Sequence, residues 1–102
     1  MKNTAEDRLQ EIEKILKQQK PLLEKTYNVK ELAIFGSYLR GKQKEGSDLD
    51  LLVGFSEPIS LFDFIRLEDY LTEMLGVKVD LVMSDALKPR IKDKVLKEAL
   101  YV

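Results

Sequence analysis

Hydrophobic and polar positions along this 102-residue chain change period several times, and each change marks an element. Over residues 4–20, Leu9, Ile12, Ile15 and Leu16 recur at the spacing of one helical face. Thr4 is placed to cap this helix, with Asp7 three residues on. Pro21 predicts an end or a kink, because proline has no N–H to bond back and its ring crowds the preceding turn. Residues 22–27 would add a turn or two, and Asn28, which tolerates a left-handed backbone, is a stop. Val29–Phe35 then reads as a strand with both faces covered, Leu32 and Ile34 on one side, Ala33 and Phe35 on the other. Beyond Gly36 and Ser37, residues 38–41 read as one short helical turn and 42–47 as a polar loop. Leu49–Phe55 is a second strand, and Pro58 marks its exit. Ser60 caps a helix over Leu61–Leu75, with a stripe of Phe64, Leu67, Leu71, Met74 and Leu75 and a stop at Gly76. Val77–Val82 is a third strand, 84–88 a turn, and Pro89 opens a last helix reaching about Leu100.

The pattern predicts an α+β fold in one domain spanning 1–102, with element order α-β-α-β-α-β-α and a small mixed sheet of three to four strands flanked by helices. A helix of about fifteen residues between the second and third strands makes a crossover, so those strands should be parallel neighbours. The short connection between the first two favours an antiparallel pair. Hydrophobic residues at 44% can supply a small core.

Charge narrows the functions. Lys and Arg number 17 against 18 Asp and Glu, a net charge of −1, so there is no global argument for nucleic acid and no direct nucleic-acid binding is expected. The chain has no cysteine and no histidine, which excludes disulfides, a Ser-His-Asp triad and metal sites built on sulfur or imidazole. Any metal would be held by oxygens, which points to magnesium, manganese or calcium. No apolar run approaches the ~20 residues of a membrane helix. The polar N-terminus has no signal-peptide core, so a cytoplasmic location without membrane contact is expected.

Against that background one stretch stands out, Gly36 to Asp50, reading GSYLRGKQKEGSDLD. Side chains two apart on a strand share a face, so Asp48 and Asp50 project together where the second strand begins. Asp80 lies within the third strand and can lie beside them if the two strands are neighbours. Clustered carboxylates repel, so the metal-free protein should raise at least one carboxyl pKa, and divalent cations would relieve the conflict. Gly36 lets backbone approach a ligand closely, and Ser37 starts a turn whose N–H groups and hydroxyl can hold phosphate oxygens. Arg40 and Lys42 can add positive charge there; the other readings are a structural ion pair for Arg40 and, as is more usual in a polar loop, a solvated charge for Lys42. Together these parts suit transfer of a nucleotidyl group from a nucleoside triphosphate. In such a site two cations about 3.5–4 Å apart would be bridged by Asp48 and Asp50, with Asp80 on the ion nearer the acceptor.

The combination of GS, spacer, SDLDLLV and a later VDLV resembles the polymerase-β-type nucleotidyltransferase superfamily. FGSYLRG, SDLDLLVGF, LGVKVDLV and LKPRIKDKVLKEALYV are similar to one branch of it, the minimal nucleotidyltransferase (MNT) antitoxins that accompany HEPN-domain toxins. That resemblance runs from about residue 5 to Val102. It implies the nucleotidyltransferase fold, and transfer of AMP from ATP with Mg2+ (Mn2+ serving in its place) to a tyrosine of a HEPN toxin. By the same matching, Gly36 and Ser37 hold phosphates, and Asp48, Asp50 and Asp80 are the catalytic metal ligands. Two rival functions stand beside it: an antitoxin acting by complex formation alone, and nucleotidyl transfer to a small molecule. On the C-terminal helix, Lys88, Arg90, Lys92, Lys94 and Lys97 form either a solvated face or a set from which Lys88 and Arg90 reach a nucleotide or an acidic partner. Phe62, Tyr101 and Val102 fit either the core or a partner interface.

Overall fold

The computed structural model describes residues 5–36 and 48–102. The first helix, α1, spans Ala5–Tyr27 and runs through Pro21 instead of ending there. Leu16 and Leu23, both fully buried, lie seven residues apart on one face. Burial of the last turns offsets the backbone bond that proline forfeits, which the local rule at Pro21 does not take into account. Asn28 ends the helix as expected, with φ 58°. The cap at Thr4 lies outside the described residues.

Strand β1 (Val29–Phe35) and strand β2 (Leu49–Phe55) have the expected bounds and pair antiparallel, Phe35 opposite Asp50 and Ile34 opposite Leu51. The expected turn over 38–41 and loop over 42–47 lie outside the described residues. Helix α2 is Leu61–Leu75. Its Ser60 hydroxyl accepts from the Asp63 N–H at 3.1 Å, and Gly76 closes it at φ 71°. Strand β3 is Val79–Met83, two residues later than expected at its start. Lys78 instead only offers its carbonyl to the Leu49 N–H at 2.8 Å. The β2–β3 pair is parallel, as the crossover requires.

A 3-10 turn at Ser84–Ala86 leads to helix α3, Pro89–Glu98. The last helix therefore stops short of Leu100, because Leu100–Tyr101 form a short strand, β4, antiparallel to β1. Val102 N–H adds a bond to the Leu32 carbonyl at 3.0 Å. Two residues of pairing along the open edge of β1 satisfy donors that another helical turn would have left to water. Among the described residues the sheet has four strands in the order β3-β2-β1-β4.

One sheet face makes the core. Leu32, Ile34, Leu49, Leu51, Val53, Val79 and Leu81 meet Ile12, Leu16 and Leu23 of α1 and Leu67, Leu71 and Leu75 of α2. Tyr70 of α2 donates its hydroxyl to Gln19 of α1 at 3.0 Å, tying the two helices together. The outer edge of β3 is closed by α2: Val79 N–H donates to the Thr72 hydroxyl and Leu81 N–H to the Glu68 carboxylate, at 3.0 and 2.9 Å. Phe62 is 77% exposed and stands outside this core, whereas Val102 packs against it. No helix among the described residues is long and apolar enough to cross a membrane.

Candidate functional site

The other sheet face carries the acids. In the parallel β2–β3 register Asp50 stands directly opposite Asp80, and Phe35 of β1 stands opposite Asp50 on the far side. The alternation that turns Leu49 and Leu51 into the core turns Asp50 outward, and Leu81 does the same for Asp80. Asp80 is exposed, so a buried, unpaired carboxylate does not arise there. Asp48 lies just ahead of β2, on the same side as Asp50 and half-buried.

The electrostatics match the expectation of one perturbed carboxyl. Asp50 is pushed above the ordinary carboxylate range, first by burial, then by the charge of Asp80 and that of Asp48. Its carboxyl also lies within hydrogen-bonding reach of Asp80. Among the described residues, no three acidic side chains converge into a ready-made cation cage. Asp50 and Asp80 form a direct pair, and Asp48 contributes its charge from outside it.

Gly36 completes the described part of the site. Its φ is +80°, a region L residues rarely adopt. A Cβ there would overlap the Asp50 carboxylate, with the carboxylate carbon only 3.0 Å away. Glycine is therefore required twice over, by the backbone turn and by the close approach to Asp50. Ser37, Arg40 and Lys42 lie outside the described residues. The structure thus brings together Gly36, Asp50 and Asp80, with Asp48 adjacent.

Reasoning from the sequence left the C-terminal helix undecided, and here the structure adds residues. The helix α3 joins β3 at one sheet edge to β4 at the other, and it shares a cleft with Phe35 and Gly36, which lie on the side that carries the acids. Between α3 and the end of β1 lies a cleft of about 530 Å³, lined by Phe35, Gly36, Arg90, Ile91, Lys94, Val95 and Glu98. Of the two cations that one alternative put nearest a nucleotide or an acidic partner, Arg90 lines this cleft and Lys88 does not.

Comparisons with known proteins agree with this geometry. A family model described as the nucleotidyltransferase domain matches residues 9–102. Protein adenylyltransferase MntA of Thermococcus cleftensis is 51% identical over 94 residues, covering 92% of this chain and 95% of its own length. A solved structure described as a minimal nucleotidyltransferase superposes with a TM-score of 0.73 at 37% identity, over 95% of this chain and 94% of that one. Two further solved structures share the fold. One is a toxin–antitoxin complex with AMP-PNP, at TM-score 0.65 and 24% identity over 88% of this chain and 68% of that one. The other is a tri-AMPylated Shewanella oneidensis HEPN toxin in complex with its MNT antitoxin, at 0.58 and 19% over 96% and 71%.

Proposed function

The chain belongs to the nucleotidyltransferase domain family, and from that premise we propose that it is a protein adenylyltransferase that moves AMP from ATP to a tyrosine of a HEPN-type toxin. The observation that carries this reading is the Asp50–Asp80 register pair with Gly36 against it, on an open sheet face. The name of the Thermococcus relative and the AMPylated toxin bound to an MNT antitoxin supply the group transferred and the class of acceptor. AMP-PNP in a related complex supports ATP as donor.

The donor set fits Mg2+. It consists of carboxylate oxygens in a chain without histidine or cysteine, and Asp50 shows the charge conflict that a cation relieves. Asp48, Asp50 and Asp80 would hold the ion or ions, and bound Mg2+ would neutralise charge on the triphosphate. The chain's own groups do the rest. Gly36 lets the backbone lie against the phosphates, and Ser37 offers its N–H and hydroxyl, with Arg40 and Lys42 available as further positive charge. The acceptor hydroxyl oxygen bonds to the α-phosphorus, the bond from that phosphorus to the bridging oxygen breaks, and pyrophosphate leaves. The hydroxyl proton passes to Asp80, the exposed member of the pair. Positioning supplies most of the acceleration. ATP supply places this action in the cytoplasm.

The test is intact-protein mass spectrometry of the chain and a HEPN toxin encoded beside it, incubated with Mg2+ and each nucleoside triphosphate. An added AMP mass on the toxin with ATP is expected. The Asp48→Asn/Asp50→Asn variant should lose at least about a hundredfold in rate, the scale of removing a principal electrostatic element. A stable complex that binds ATP yet leaves both chains unmodified would overturn catalysis in favour of control by binding alone.

A further inference from the structure

We propose that Tyr101 is itself an acceptor of adenylyl transfer, its hydroxyl taking AMP from ATP held at the acids of a second copy of this chain. This goes beyond the toxin as acceptor and rests on the adenylyl-transfer reading.

Access is the first argument. A tyrosine can be an acceptor only if its hydroxyl can enter the site of another molecule. Tyr27 and Tyr70 pack against the core with their rings 6.5 Å apart, and the Tyr70 hydroxyl is committed to Gln19. Tyr38 lies outside the described residues. Tyr101 is 45% exposed, and its hydroxyl makes no hydrogen bond with a described residue. It belongs to the two-residue strand β4 at the sheet edge, beyond which no described strand lies.

Setting is the second. Tyr101 lies opposite Ala33 and lines a depression of about 360 Å³ with Lys30, Glu31, Gly54, Ser84 and Lys92. Gly54 keeps its floor open: a Cβ there would stand 3.4 Å from the Ser84 hydroxyl and 3.5 Å from the Glu31 carboxylate. Burial, and then the charge of Glu31, raise the Tyr101 pKa, so at neutral pH the hydroxyl keeps its proton and its attack needs a base. Lys92 is tied to Asp85 only by a surface pair at 3.9 Å, which holds it weakly. Lys30 and Lys92 therefore offer positive charge to a second copy whose site carries three acids and a triphosphate. They also offset the phosphodiester that the transfer leaves beside Glu31. The chain's own acids are out of reach. Arg90, Lys94 and Glu98 line the cleft at Gly36, whereas Lys92 and Leu96 line the Tyr101 depression, so α3 stands between the two. The transfer runs between copies. The Tyr101 hydroxyl oxygen bonds to the α-phosphorus, the bond from that phosphorus to the bridging oxygen breaks, and pyrophosphate leaves. The hydroxyl proton passes to Asp80 of the copy that holds the ATP.

The test is peptide-mapping mass spectrometry of the full chain incubated alone with Mg2+-ATP, with the toxin reaction run beside it. AMP on Tyr101 is expected. Tyr101→Phe should abolish this adduct and leave transfer to the toxin unchanged, which shows that the variant is folded and active. Lys30→Glu/Lys92→Glu should slow self-modification about tenfold and again spare the toxin. Mixing the Tyr101→Phe chain with the Asp48→Asn/Asp50→Asn chain should place AMP on Tyr101 of the inactive chain, although neither variant takes AMP when alone. AMP on the toxin with none on this chain, or with AMP on Tyr27, Tyr38 or Tyr70 instead, would overturn the proposal while the adenylyl-transfer reading stands. An inactive chain left unmodified in the mixture would overturn transfer between copies. If neither the toxin nor this chain takes AMP, the adenylyl-transfer reading fails and this inference with it.

Discussion

The two faces of the central sheet are built from the same strands and differ in nearly everything else. On one, eight strand residues, Val29 among them, are sealed beneath α1 and α2, and leucines of both helices are fully buried. On the other, Ala33 and Leu52 are buried, but α3, which crosses above them, has no buried residue of its own. Strand alternation makes this division of labour possible: one residue's shift exchanges core for chemistry. The sealed face supplies stability, and the thinly covered face can carry three acids and a cleft because it is not asked to exclude water.

The sharpest way to break the comparison is to truncate a leucine on each face. Leu51→Ala removes a fully buried side chain held between two helices and should cost about 3–5 kcal/mol, since neighbours fixed on both sides cannot collapse into the gap. Leu52→Ala, under a loosely seated helix, should fall near the bottom of the range, about 2 kcal/mol, because α3 can settle. Urea denaturation of both variants gives the two losses directly. Equal losses would mean that α3 is as firmly packed as α1 and α2.

A smaller effect separates site from scaffold at two glycines. Gly36 and Gly76 both hold a positive φ, so an alanine at either should cost about 1 kcal/mol from backbone strain. At Gly76 a Cβ meets nothing within 4 Å, whereas at Gly36 it meets Asp50. Gly76→Ala should therefore lower the melting temperature and leave ATP binding alone. Gly36→Ala should lower it further and remove detectable ATP binding. Calorimetry with ATP on both variants reads the difference, and an unaffected Gly36→Ala would show that Asp50 can move aside.

Much of this division is legible in the residues themselves, for local reasons. Asn28, Ser60 and Gly76 are strong punctuation, so β1, α2 and the start of β2 fall where they are expected. The pairing of Asp50 with Asp80 follows once a helix of crossover length separates their strands. What escaped depends on contacts distant in sequence. Pro21 leaves an end or a kink open, and Leu23, buried in the core, decides for continuation to Tyr27. Leu100 and Tyr101 continue a plausible helical run and become strand only because Ile34 and Ala33 offer an open edge. The cations of α3 are too evenly spread for periodicity to say which face the cleft. That is settled by the route α3 takes across the sheet.

The smallest expected effect concerns the cost of the site to the fold that carries it. Burial and the charges of Asp80 and Asp48 raise the Asp50 pKa in the folded protein above the ordinary value of 3.8. The folded chain therefore holds that proton more tightly than the unfolded chain does. Well below pH 3.8 both states are protonated and Asp50 contributes nothing; as pH climbs past 3.8 and through the raised value, stability is lost. At neutral pH, without metal, ionised Asp50 is thus a net destabiliser. Solvent screening of a partly exposed group limits the penalty to about 1 kcal/mol or less. Asp50→Asn removes it, so the metal-free variant should melt a few degrees above wild type at pH 7, given about 4–8 °C per kcal/mol in a domain this small. That gap should narrow toward zero as the pH is lowered below the ordinary value of 3.8, where folded and unfolded Asp50 both hold the proton. Added Mg2+ should close the gap from the other side, by stabilising wild type and leaving the variant behind. A variant that melts below wild type at pH 7 without metal would mean that Asp50 has a structural partner outweighing its two acidic neighbours. The sealed face would then not be carrying the stability of the open one.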